Sequence, residues 1–101
     1  KTLVLGWGST YGAIKVAAIN LRNENESVAH LHLTHLNPLP KNLGDILKSF
    51  DNILIPELNN GQLIRIIRDK YLVDAKGLNK IKGLPLLEKE IENAVKTLTQ
   101  A

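Results

Sequence analysis

The feature that most constrains this chain is a change of hydrophobic period that repeats along it. Short apolar runs of strand length alternate with segments whose apolar residues recur every three to four positions. Thr2 to Leu5 is such a run, β-branched in part and bounded by glycine. Ile14, Ala17, Ala18 and Leu21 follow at i, i+3, i+4 and i+7, one face of a helix over about residues 9–23. Val28 to Leu33 reads as a second strand. Leu43, Ile46, Leu47 and Phe50 repeat the helical spacing. Asn52 to Pro56 is a third strand, closed by its proline. Gln62 to Tyr71 is a third helix, with Leu63, Ile66 and Ile67 inward and Arg65, Arg68 and Asp69 outward. Ala75 to Asn79 is a short fourth strand. Leu87, Ile91, Ala94, Val95 and Leu98 mark a final helix with a charged outer face. Strand and helix alternating over short loops predict a parallel sheet covered on both faces. The strands lack strict apolar–polar alternation, as expected for strands covered on both faces.

The chain has 101 residues, which suits one domain with one core over 1–101. No apolar stretch reaches the ~20 residues that cross a bilayer, and no secretion signal opens the chain. There is no cysteine, so neither a disulfide nor a thiolate metal site exists here, which fits a cytoplasmic location. The net charge of +3 is spread along the chain with acids interleaved. Only four residues are aromatic and they form no interleaved stripe with the bases, so the pattern argues against a nucleic-acid partner. No methionine stands anywhere, including position 1, and the first strand begins at once. The expectation is a domain excised from a longer protein, with an apolar patch left where it met its parent.

Three groups of residues sit where chemistry is expected. The first is Gly6-Trp7-Gly8-Ser9-Thr10-Tyr11-Gly12, a strand running through a glycine turn into a helix. Helix-terminal amides in that setting bind phosphate, and Ser9 or Thr10 can cap the helix. The spacing is GxGxxxG, not the dinucleotide fingerprint, and no acid ends the second strand, where Thr34 and His35 stand. The alternative is a tight turn whose glycines let helix and sheet approach. The second group is His30, His32 and His35. His-x-His on a strand puts two rings on one face, but no carboxylate or cysteine nearby completes a metal set. Packing under a helix with backbone hydrogen bonds is the simpler account; His35, past the strand end, faces a site or an interface. The third is Glu57-Leu58-Asn59-Asn60-Gly61-Gln62. Glu57 reads either as a general base or as an acid offsetting a helix N-terminus. Asn59 and Gln62 read as partner contacts, or Asn59 as a cap. No complete catalytic set is visible.

Four blocks in order then carry a resemblance: "GWGSTYGAI", "VAHLHLTHLNPLPKN", "ILIPELNNGQL" and "YLVDAKGLNKIKGLP". From Leu3 to about Pro85 the chain resembles the C-terminal domain of the α subunit of 2-oxoacid:ferredoxin oxidoreductases, most closely the 2-oxoglutarate type. The resemblance implies a transketolase C-terminal-like α/β fold: a three-layer α/β/α sandwich on a mostly parallel sheet of four or five strands. It implies a parent enzyme that decarboxylates a 2-oxoacid on thiamine diphosphate. That parent passes electrons through iron–sulfur centres to ferredoxin and forms an acyl-CoA. It implies that this domain binds none of those cofactors and is not catalytic alone. Its implied partners are the rest of the α subunit and the β subunit, and it lines the CoA or substrate approach. Gly6, Gly8, Ser9, Thr10 and Gly12, His35 and Asn37 in the His35–Pro40 loop, and Glu57, Asn59 and Gln62 are the expected contact residues, gathered on one sheet edge. Two other readings stay open: a stand-alone phosphate- or nucleotide-binding α/β module, with Ser9, Thr10 and amides near Gly8 on the phosphates, and an independent NAD-dependent or flavodoxin-like protein.

Overall fold

The computed structural model describes residues 1–34, 41–58, 62–80 and 87–100. Along the chain come β1 (Thr2–Trp7), a 3₁₀ turn (Gly8–Thr10), α1 (Tyr11–Asn23), β2 (Val28–Leu33), α2 (Leu43–Lys48), β3 (Asn52–Leu58), α3 (Gln62–Tyr71), β4 (Lys76–Lys80) and α4 (Glu88–Gln100). The four strands form one sheet in the order β2-β1-β3-β4. Every pair is parallel. The predicted alternation of period is therefore realised, and with it the α/β/α sandwich.

The layers follow from the period-two geometry of a strand. Leu3 and Leu5 point to one face, where Leu43 and Leu47 of α2 and Leu63 and Ile67 of α3 cover them. Val4 points to the other, under Ile14, Ala17 and Leu21 of α1 and Ile91 and Val95 of α4. Leu5, Ile14, Leu43, Leu63 and Ile91 are wholly buried. Removing each such side chain from water contributes about 1.5–3 kcal/mol. Ile64 is buried as well, and Ile66, expected inward, is half-buried against the same core.

Two local devices set the chain's direction. α1 closes on a Schellman motif: the Asn25 amide donates to Arg22 O and the Glu26 amide to Leu21 O, both at 3.0 Å. Asn25 takes the left-handed conformation this requires, at φ 66. At the other end of α1, the expected hydroxyl cap is absent. Thr10 stands before the helix in the right-handed region and makes no capping bond. Its Oγ1 instead donates to Trp7 O at 3.0 Å, because the 3₁₀ turn points the hydroxyl back at the strand.

β3 also departs from expectation. It does not stop at Pro56 but continues to Leu58. A proline cannot donate to a ladder, yet here the ladder to β1 has already ended at Val4↔Leu54. Pro56 is paired on the β4 side alone, opposite Leu78. β4 itself starts one residue later than the apolar pattern indicates and ends at Lys80. The rigid loop expected at 37–40 lies outside the described residues.

Gly8 is the residue that makes the β1–α1 turn possible. Its φ is +67, and a Cβ there meets nothing within 4 Å, so any substitution acts through the backbone alone. Gly8→Val is expected to lower stability by about 1–3 kcal/mol in chemical denaturation, with Gly8→Ala at the lower end. An unchanged midpoint in both variants would contradict this account of the turn.

Candidate functional site

Parallel pairing puts the carboxyl ends of all four strands on one edge, and this rim collects the turn at Gly8–Thr10 and the end of β3. Strand order gives the rim a special point. From β1 the chain crosses by α1 to β2 on one side; from β3 it crosses by α3 to β4 on the other, with the helices on opposite faces. Open α/β sheets place ligands at such a switch point.

Here the two central strands part. Their ladder ends at Val4↔Leu54. Trp7 and Glu57 lie three residues further along each strand, and their side chains meet instead of their backbones. Trp7 Nε1 donates to Glu57 Oε1 at 3.0 Å. The same oxygen accepts from the Leu63 amide at 2.6 Å, and Oε2 accepts from the Ile64 amide at 3.1 Å. Those amides belong to the first turn of α3, where four donors have no partner within the helix. An N-cap side chain ordinarily serves them, but the residue before α3 is Gly61, which has none. Glu57 supplies the acceptors from the neighbouring strand. Only 1% of its surface is exposed, and its charge lies against the positive helix end. With three donors on two oxygens, Glu57 is committed to the fold. A general base needs a free lone pair facing substrate, which this buried carboxylate does not offer.

The glycines have separate jobs. A Cβ on Gly6 would come within 2.4 Å of Ile14 Cδ1 and 3.1 Å of His32 Nδ1. That position lets α1 lie close over β1. Gly8 bends the chain. Gly12 does neither: a Cβ there meets nothing within 4 Å, so it is not needed for packing on the sheet. Ser9 is exposed on the rim, while Thr10 is buried and engaged with Trp7. The structure thus gathers Gly6, Gly8, Ser9, Thr10 and Glu57 at one edge. Gln62 opens α3 at that same edge. His35, Asn37 and Asn59 fall outside the described residues. Sequence reasoning passed over Trp7 as a site residue. The available signal was a lone tryptophan, whose indole N–H needs an acceptor, beside a glycine turn.

The histidines of β2 lie beside this rim. Register pairs His30 with Val4 and His32 with Gly6, so both rings share the α1 face of an edge strand. Tyr11 covers them, its ring centroid 5.5 Å from His30 and 5.1 Å from His32. His32 Nε2 lies 3.1 Å from Gly8 O, so this nitrogen carries the proton and donates. His32 Nδ1 and His30 Nε2 are buried without a partner. Among the described residues, no three histidine, aspartate or glutamate side chains come together as a metal set. A cleft of about 240 Å³ opens at the opposite edge, where β3 and β4 begin. Its Asp74 and Lys76 neutralise each other at 3.3 Å, and it brings together none of the residues above.

No known family's sequence profile matches the chain. Individual proteins do. It is 46% identical over 91 residues to the 2-oxoglutarate oxidoreductase subunit KorA of Mycobacterium tuberculosis, covering 90% of this chain and 14% of that protein. It is 30% identical over 91 residues to the 2-oxoglutarate synthase subunit KorA of Archaeoglobus fulgidus, covering 89% of this chain and 26% of that one. The chain thus spans about a quarter or less of these relatives. Its fold superposes with TM-score 0.88 on the 2-oxoglutarate:ferredoxin oxidoreductase of Magnetococcus marinus, solved with 2-oxoglutarate, coenzyme A and succinyl-CoA bound. That match has 28% identity and covers 96% of this chain and 17% of that one. It superposes with TM-score 0.65 on the α chain of a probable 2-oxoacid ferredoxin oxidoreductase from Thermoplasma acidophilum. There the identity is 25%, over 99% of this chain and 89% of that one.

Burial beside His32 and Arg22 has a consequence for pH. Loss of water, then the neighbouring His32, then Arg22, lower the His30 pKa from 6.5 to about 4. The unfolded chain therefore binds this proton first, so the stability His30 contributes is complete above pH ~6.5 and is lost as the pH falls towards 4. His30 keeps part of its surface in water, which reduces the loss to about 1 kcal/mol. Thermal unfolding between pH 7 and 4.5 is expected to show a smaller acid-induced fall in Tm for His30→Asn than for the parent chain. Parallel profiles would contradict the burial argument.

Proposed function

We propose that this chain, a domain of the 2-oxoacid:ferredoxin oxidoreductase α-subunit kind, is the C-terminal domain of a longer α subunit. There it serves subunit assembly and presents its strand-end rim to the CoA and substrate approach. The observation that carries this is the agreement of two independent measures: 46% identity to a 2-oxoglutarate oxidoreductase subunit and a TM-score of 0.88 to a solved 2-oxoglutarate:ferredoxin oxidoreductase.

In the complete enzyme, 2-oxoglutarate loses carbon dioxide, the remaining acyl group is oxidised and joined to the CoA thiol, and the electrons pass to ferredoxin. Thiamine diphosphate supplies the electron sink for decarboxylation when bound. An iron–sulfur cluster does not fit this domain, because the chain has no cysteine to ligate one. Cluster and thiamine belong to the other domains and to the β subunit, and the assembled enzyme works in the cytoplasm. Among the described residues, no helix is long and apolar enough to cross a membrane.

This domain's own residues contribute geometry. Gly8 turns the chain, Glu57 fixes the first turn of α3, and Trp7 joins the two. The exposed Ser9 then stands on a fixed rim, where its hydroxyl is available to a phosphate of CoA. The test is a steady-state assay of the purified α–β enzyme containing this chain. Reduction of ferredoxin is expected to require both 2-oxoglutarate and CoA. Ser9→Glu is expected to raise KM for CoA about tenfold while leaving KM for 2-oxoglutarate in place. No 2-oxoacid- and CoA-dependent reduction would overturn the assignment, and an unchanged KM for CoA would remove the rim from the CoA path.

A further inference from the structure

β1 leaves the sheet at Trp7, the last residue it pairs with β2, opposite Leu33. Past that point its backbone groups depend on side chains or water for partners. Side chains hold two carbonyls in a row. Thr10 Oγ1 donates to Trp7 O at 3.0 Å, and His32 Nε2 lies 3.1 Å from Gly8 O. Gly8 is the residue at φ +67. Glycine reaches that conformation at no steric cost, and it leaves it as easily, because no side chain restricts it. A turn built on glycine keeps one shape only when something outside it holds it.

The His32 ring is placed to do this. The register sets it beside Gly6, and a Cβ on Gly6 would lie 3.1 Å from His32 Nδ1, so the bare glycine leaves the ring its room. The Tyr11 ring meets it edge-on, centroids 5.1 Å apart at 86°, and the His30 ring does so at 5.6 Å and 84°. Nδ1 is buried with no partner, which puts the proton of the neutral ring on Nε2, against the carbonyl. The other side of β1 is built alike. There the Trp7 indole ties the strand end to Glu57 of β3. Here His32, on edge strand β2, takes the next residue. The two strands that flank β1 thus grip Trp7 and Gly8 in succession, both by side chains.

We infer that His32 is a positioning residue of the strand-end rim: from the edge strand it holds the Gly8 carbonyl, and with it the place of Ser9. Ser9 follows Gly8 directly and is exposed, while Thr10 beyond it is buried. His32 acts on CoA through Ser9 and touches no substrate itself, a step that rests on reading the rim as the CoA approach. The chemistry also names the replacement that preserves the role. Glutamine carries an amide N–H at about the reach of histidine Nε2. Leucine fills similar space and donates nothing.

Two readouts test this separately. In heteronuclear NMR of the chain above neutral pH, the His32 ring is expected in the Nε2–H form. The Ser9 and Thr10 amides are expected to show microsecond-to-millisecond exchange broadening in His32→Leu, absent from the parent and from His32→Gln. An Nδ1–H ring, or a His32→Leu chain whose Ser9 and Thr10 relax like the parent's, would overturn the proposal. In the purified α–β enzyme, His32→Leu is expected to raise KM for CoA about fivefold, with KM for 2-oxoglutarate in place and His32→Gln within about twofold of the parent. Equal losses in the Leu and Gln variants would also overturn it, since ring packing rather than the donated proton would then set the turn. Ser9→Glu keeps the two readings apart. If it leaves KM for CoA unchanged, the rim is off the CoA path and that reading fails, while NMR still decides the role of His32. If it raises KM for CoA and His32→Leu does not, the rim reading stands and the positioning role falls.

Discussion

One buried carboxylate holds the strand-end edge of this fold together. Glu57 sits at the end of a central strand and accepts from the indole of Trp7 and from the amides of Leu63 and Ile64. Unpaired, that charge would be costly to bury, and so would the two helix amides. Together they satisfy one another. The arrangement ties the end of β1 to the end of β3, fifty residues away, and both to the start of α3. It does so where the backbone ladder between the central strands has ended.

That constraint gives a small domain one fixed edge. The parallel sheet sends every strand's carboxyl end to one edge, and the order β2-β1-β3-β4 makes the gap between β1 and β3 the switch point. A gap with loose walls would position nothing. Glu57 and Trp7 close its base, Gly8 fixes the turn on one side, and α3 is anchored on the other. The rim so formed is held from both sides.

Much of the fold was legible because hydrophobic period reports burial directly. The run Thr2–Leu5 and the spacing Ile14–Ala17–Ala18–Leu21 required a strand and a helix to bury them, and both formed. Boundaries were less legible, since they turn on pairing. Pro56 marks a strand end only if the neighbour on its donor side continues, and β1 had already departed. The site was legible in place but not in role. Gly8 and Glu57 stood out by type and position. That Glu57 caps a helix from the adjacent strand depends on tertiary geometry no local spacing encodes. Trp7 was hidden for the same reason, since its partner lies fifty residues away. Thr10 looked like a helix cap and turned back to the strand because a 3₁₀ turn intervened.

The central claim is that Glu57 secures the rim through its two helix amides and the indole. The most direct measurement is native-state hydrogen exchange at the amides of Leu63 and Ile64, with the global stability of the parent chain and of Glu57→Ala alongside. The account predicts slow exchange at both amides in the parent. It predicts their marked acceleration in Glu57→Ala, with a stability loss of about 2–3 kcal/mol as the orphaned donors are left behind. Equal exchange in the two proteins, with a loss below about 1 kcal/mol, would contradict it.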